Sequence, residues 1–189
     1  MMRQLFVTQL YEAVIENQGL LDALAHSIRT FAKEDHAGRS WSRQNCYAGY
    51  TSYASLNDLP ARDPAFADLA RLLAKHARLF ASELGWDIKP RLDSLWVNLL
   101  KAGGQHSGHI HPHSVLSGTL YVEVADGAGA IRFEDPRLPM MMAAPQRPGT
   151  FVSIEPVRGA MLMWESWLRH EVLAGAAKAE RLSISFNFA

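Results

Sequence analysis

The spacing of apolar and polar positions changes character near residue 90. Before it, apolar residues recur at helical intervals. In GLLDALAHSIRTFAKED, Leu20, Leu21, Leu24, Ile28 and Phe31 fall on one face, as an amphipathic helix requires. Gly19 is placed to start this helix, and Gly38 lies just past its expected end. A second helix is better marked. Asp63 is a good N-cap, and Pro64 suits the first helical position, where its missing N–H costs nothing. Phe66, Leu69, Leu73, Ala77, Phe80 and Leu84 form one stripe, and Gly85 is placed just beyond the C-cap. Residues 38–60, richer in Gly, Ser, Asn and Tyr, read as a long connection.

Beyond Pro90 the segments become short, β-branched and aromatic, with Gly and Pro between them. Strands are predicted over 94–100, 118–124, 130–134, 150–154, 159–165 and 181–188, with turns at DGAG (126–129) and EPVRG (155–159). Helices first and strands afterwards predict an α+β fold, the helices covering one face of an antiparallel sheet or β-sandwich. A mainly helical 1–90 and a strand-rich 91–189 are each small for a domain, so residues 1–189 read as a single one. The last strand, RLSISFNF, alternates strictly: Leu182, Ile184, Phe186 and Phe188 on one face, Arg181, Ser183, Ser185 and Asn187 on the other.

Composition narrows the function classes. The formal net charge of the 189 residues is zero, so the basic excess usual in nucleic-acid binders is missing. No run approaches the ~18 apolar residues of a membrane span, and MMRQLFVTQLYEAVIENQ lacks the apolar core of a signal peptide. The lone Cys46 rules out an internal disulfide and a cysteine-rich zinc site, and suits a reducing cytoplasm.

Four of the eight histidines, His106, His109, His111 and His113, fall within QHSGHIHPH. Neutral imidazole is the commonest metal ligand. On a strand, His109 and His111 would point to the same face. Pro112 would end or bend that strand before His113, and His106, of opposite parity, reads as a loop residue. His170, after the strand 159–165, is a distant third ligand candidate; His26, His36 and His76 lie in the helical half. Two near ligands and one distant one is the layout of a facial triad with open positions. Eleven residues after His170, Arg181 and Ser183 share a face, and a guanidinium can take a carboxylate through paired hydrogen bonds.

Taken together, WVN (96–98), H-x-H-P-x-S-x-x-S-G-x-x-Y-V (109–122), F-x-D-P-R (133–137), P-x-x-G (156–159), His170 and R-x-S-x-S-F-N (181–187) resemble the bacterial 2-oxoglutarate/Fe(II)-dependent oxygenase family. This is a branch of the double-stranded β-helix oxygenases related to the prolyl hydroxylase type. The resemblance implies a double-stranded β-helix (jelly-roll) core with an N-terminal helical layer, Fe(II), and 2-oxoglutarate as co-substrate. The implied reaction hydroxylates a small-molecule or peptide substrate and releases succinate and carbon dioxide. It assigns His109, His111 and His170 to the metal and Arg181, Ser183, Tyr121 and Asn98 to the co-substrate. His113, Trp164 and Trp167 are placed beside the metal or on the substrate side. No nucleic-acid or membrane partner is expected, and a homodimer is compatible with the sequence.

One departure matters. In the wider superfamily a carboxylate stands where His111 stands, so Asp135 or Glu123 is a candidate substitute. Two other readings follow from the same residues: a three-histidine metalloenzyme that does not use 2-oxoglutarate, and a non-catalytic, metal-containing β-sandwich binding module. A cupin is disfavoured. Val115 and Leu116 stand where its glutamate would be, and Gly159 lies too far before His170.

Overall fold

A computed structural model describes residues 1–137, 142–143 and 149–189. Asn17, rather than Gly19, opens the first helix, α1 (Gln18–Glu34): its side-chain oxygen accepts the Leu20 N–H at 3.1 Å. Glycine has no such acceptor. Asp35 ends α1 and caps α2 (His36–Gln44) by accepting the Gly38 N–H at 2.9 Å. Gly38 therefore lies inside a helix. The expected connection over 38–60 instead holds most of α2, the strand β2 (Gly49–Thr51) and the start of the short α3 (Leu59–Arg62). Asp35 also accepts from the Tyr50 and Ser55 hydroxyls, which ties this polar stretch into one unit that helical periodicity does not reveal.

The helix α4 (Pro64–Glu83) matches expectation. Asp63 accepts the Ala65 N–H at 2.8 Å and the Ser27 hydroxyl at 2.5 Å, so the cap also joins α4 to α1. Gly85 follows with φ of +73°. Phe66, Leu69, Leu73 and Ala77 are wholly buried, and each large side chain contributes about 1.5–3 kcal/mol.

Among the described residues, ten strands form two antiparallel sheets. The larger has the order β1-β8-β5-β10-β3-β2 and the smaller β4-β9-β6-β7. The six predicted strands are present as β3 (Leu92–Leu100), β5 (Leu116–Glu123), β6 (Ile131–Glu134), β7 (Phe151–Ile154), β8 (Ala160–Glu165) and β10 (Arg181–Phe188). Besides β2, three were not predicted: β1 (Leu10–Val14), β4 (His106–His109) and β9 (His170–Val172). The first lies at the edge of the large sheet, paired with β8 along all five residues. The methionine run 140–142 lies outside the described residues except for Met142, which is exposed.

Strand parity separates two cores. One face of the large sheet, with Leu182, Ile184, Phe186 and Phe188 from β10, packs on Leu24, Ile28, Phe66 and Leu73 of the helices. The other face, with Tyr121, Leu162 and Trp164, packs on Ile131 and Phe133 of the small sheet. Gly118 on β5 shows how tight the helical side is. A Cβ there would lie 2.4 Å from the Phe186 ring and 2.5 Å from the Leu162 carbonyl oxygen.

Candidate metal and co-substrate site

Between the sheets is a cavity. Asn98, Tyr121, Trp164, Arg181 and Ser183 line it from the large sheet, and His106, His109 and His170 from β4 and β9. Strands β4 and β9 pair so that His109 stands opposite His170. The Nδ1 of His109 lies 2.8 Å from the Ser107 carbonyl oxygen, and that of His170 lies 2.9 Å from the Leu168 carbonyl oxygen. A carbonyl only accepts, so each Nδ1 carries the proton and each Nε2 keeps its lone pair free. A hydrogen bond to the outer nitrogen is the usual device for orienting a metal-binding imidazole.

His111 reaches the same point by a different route from the predicted one. The strand stops at His109; the His111 N–H bonds to the Ser166 carbonyl at 3.1 Å, and its ring stacks on His170 with 10° between planes. The two Nε2 atoms are 3.4 Å apart. Ligating atoms of His109, His111 and His170 all lie within 4.8 Å of one another, the one such group among the described residues. Two nitrogens held ~2.1 Å from a shared ion are roughly 3.0–3.4 Å apart at angles between square and tetrahedral, so the observed spacing suits a cation.

Burial favours the neutral, ligating form of His111 and His170. Loss of water, then the neighbouring histidines, push His111 down to about 4. His170, 4% exposed, is pushed down to about 3 by burial, against the raising effect of its bond to Leu168.

His106 is not the loop residue its parity suggested. It opens β4, and a register shift between it and His109 lets both line the cavity, as a bulge changes which face a residue meets. Its ring meets Tyr47 and His109 edge-on, at 5.5 and 5.2 Å between centroids. One flank stays open to solvent; loss of water on the inner side, then His109 and Arg181, push it down to about 4. Tyr47 is a second addition: its hydroxyl donates to the Asn98 side-chain oxygen at 3.3 Å, while the Asn98 amide donates to Ser185 at 3.0 Å.

At the other end of the cavity Arg181 is 7% exposed and Ser183 4%. The guanidinium donates to the Gly129 carbonyl at 2.8 Å and lies 5.6 Å from the centre of the Tyr121 ring. No carboxylate pairs with it among the described residues, and its Nε has no partner. The Tyr121 hydroxyl, also without a partner, is pushed up to about 12, mainly by burial. A buried unpaired cation is costly. A cation and an O–H donor left open together fit a ligand carboxylate, as 2-oxoglutarate would present.

The remaining sequence candidates divide. Trp164 is buried in the cavity wall, edge-on to His170 at 4.6 Å. His113 is exposed on the following turn, with φ of +70°, and Trp167 is 46% exposed; neither lines the cavity. Neither substitute carboxylate reaches the histidines. Glu123 is bound to Arg29 of α1 through both oxygens, at 2.7 and 2.9 Å, and Asp135 pairs with Arg137 in a turn.

Two facing antiparallel sheets bring three converging imidazoles and a buried cation into one cavity, an arrangement that suits a metal ion beside an acid. Residues 94–187 match the family described as "Putative 2OG-Fe(II) oxygenase", and the chain belongs to that family. Comparison with curated protein sequences found no match. Among solved structures, a Pseudomonas putida prolyl-4-hydroxylase is 17% identical over 96% of this chain and 92% of its own, with a TM-score of 0.66. AviO1 from Streptomyces viridochromogenes is 16% identical over 96% and 90%, with a TM-score of 0.65. HygX from Streptomyces hygroscopicus, solved with nickel and 2-oxoglutarate bound, is 14% identical over 96% and 82%, at 0.62. The shared fold is the double-stranded β-helix, with helices laid over the larger sheet.

Proposed function

We propose that the chain is a 2-oxoglutarate-dependent Fe(II) dioxygenase that hydroxylates its substrate and releases succinate and carbon dioxide. The observation that carries this reading is the placement of Arg181. It is a buried guanidinium with no carboxylate partner among the described residues, in the same cavity as three histidines whose ring nitrogens converge. His109, His111 and His170 hold the metal, and Arg181, with Ser183 and the Tyr121 hydroxyl, holds the distal carboxylate of the co-substrate. Bound iron and 2-oxoglutarate supply the oxygen activation; the chain supplies binding, orientation and exclusion of water. Trp164 and Phe133, packed against His170, fix its ring and keep water from that side. Asn98 lines the same cavity and holds the Tyr47 hydroxyl in place. The exposed Cys46 suits a reducing cytoplasm.

One observation favours the reading without 2-oxoglutarate. His111 stands where the wider superfamily has a carboxylate, which leaves the metal with one less negative charge. The test is to add Fe(II) and 2-oxoglutarate anaerobically and record the visible spectrum. The expected result is a weak charge-transfer band that needs both additions and is lost in His170→Ala. Iron binding without any band points to the three-histidine enzyme, and no iron binding to the binding module.

A further inference from the structure

Beside the inner cavity lies a second one of about 400 Å³, room for on the order of a dozen waters at ~30 Å³ each. The two share Tyr47, Trp96, His106, His109 and His111. A molecule in the outer groove therefore has its inner edge at the proposed metal ligands. Although 20% of the chain is charged, the described residues that line this groove include no Asp, Glu, Lys or Arg. Aromatic side chains take their place. Tyr53 stands between Trp41 and Trp96, with ring centroids 5.9 and 5.3 Å away and interplanar angles of 56° and 72°. Tyr53 itself is 59% exposed. Tyr53 is tilted against Trp41 and edge-on to Trp96, so the three rings make one continuous aromatic ledge.

A charged group entering here would shed water and find no counter-charge in the wall. A cation would also face the metal and Arg181 at the inner end. An uncharged ring gains apolar contact and loses little hydration. We infer that the primary substrate is an uncharged molecule that lays a ring, aryl or pyranose, on the ledge formed by Trp41, Tyr53 and Trp96. Trp41 and Tyr53 then set specificity. This rests on the oxygenase reading of the inner cavity, which places the substrate's reacting edge at the histidines.

The test uses the full chain loaded with nickel and 2-oxoglutarate, so that binding is read without turnover. Calorimetry compares 2-naphthol and methyl β-cellobioside with two charged isosteres, 2-naphthoate and 2-naphthylmethylammonium. The expected result is that one neutral probe binds at least tenfold more tightly than either isostere; which one binds separates the aryl from the carbohydrate source. Trp41→Ala and Tyr53→Ala each weaken that probe about three- to tenfold, Tyr53→Phe restores it, and 2-oxoglutarate affinity stays unchanged in all three. Equal or tighter binding of a charged isostere, alanine variants that bind like wild type, or failure of both neutral probes would overturn the inference. Titration of 2-oxoglutarate in the same samples keeps the two questions apart. If it does not bind, the oxygenase reading fails while the groove's preference is still measured.

Discussion

Arg181 offers a test in which stability and binding move in opposite directions. Its guanidinium is 7% exposed and, among the described residues, donates to the Gly129 carbonyl oxygen and leaves Nε without a partner. An unmet buried donor costs about 1–3 kcal/mol, and replacing a buried charge by an apolar side chain of similar volume is often neutral or stabilising. Arg181→Met should therefore leave the melting temperature without 2-oxoglutarate unchanged or raise it, by ~2–4 °C for each kcal/mol in a chain of this size. The liganded state behaves in the opposite way. Removing one partner of a desolvated charge pair costs about 2–5 kcal/mol, so affinity for 2-oxoglutarate should fall at least roughly 30-fold. The assay is thermal unfolding of nickel-loaded protein with and without the co-substrate. In wild type, 2-oxoglutarate at a hundred times its Kd adds about 2.7 kcal/mol, a rise of roughly 5–11 °C. The variant at that concentration should gain less than about 1 kcal/mol, a rise of no more than roughly 2–3 °C. A variant that melts well below wild type on its own, yet still gains the full rise with 2-oxoglutarate, would refute the assignment.

Two further predictions concern the scaffold. Gly118→Ala places a Cβ against the Phe186 ring and the Leu162 carbonyl; overpacking of this kind costs about 1–3 kcal/mol, so urea unfolding should show a lowered midpoint with an unchanged slope. Asp35→Asn keeps the shape of the α2 cap but weakens its bonds to Gly38, Tyr50 and Ser55, and should cost about 1 kcal/mol at pH 7. Burial pushes the Asp35 carboxyl up, but those hydrogen bonds outweigh it and leave it below its ordinary value of 3.8. A carboxyl lowered by folding stabilises above its unfolded value and loses that contribution as pH falls through the folded one. The difference between wild type and Asp35→Asn should therefore be steady above about pH 5 and shrink in strong acid, as read by urea unfolding across that range.

The sequence was most legible where local chemistry and tertiary need agree. The cap at Asp63 and the stripe from Phe66 to Phe80 describe α4 without reference to anything else. The alternation of β10 sorts its residues correctly: Leu182 to Phe188 into the helical core, Arg181 and Ser183 into the cavity. Strands β2, β4 and β9 are three or four residues long, too short for a period to show. They exist because neighbours supply their hydrogen bonds. His106 was missed because parity assumes an unbroken strand, and a register shift precedes His109. The same assumption brought His111 to the right place for the wrong reason, since the strand had already ended. Tyr47 and the aromatic ledge lay in a stretch whose Gly, Ser and Asn suggested mere connection. Trp41, Tyr47 and Tyr53, crowded into a polar segment, were the signal that could have marked it as more than a connection, since all three line the outer groove.

The two Nδ1 contacts at His109 and His170 have a consequence for how this site can change over evolutionary time. Both acceptors are main-chain oxygens, of Ser107 and Leu168, and no substitution at those positions deletes a carbonyl. A point mutation can remove an imidazole outright, but it cannot easily turn one to a new direction. The aim of the donors belongs to the backbone, while the character of the third donor, now His111, belongs to a side chain. In the proposed metal site, exchanging His111 for a carboxylate would change the charge of the centre, while the direction of the other two imidazoles would still be set by the strands.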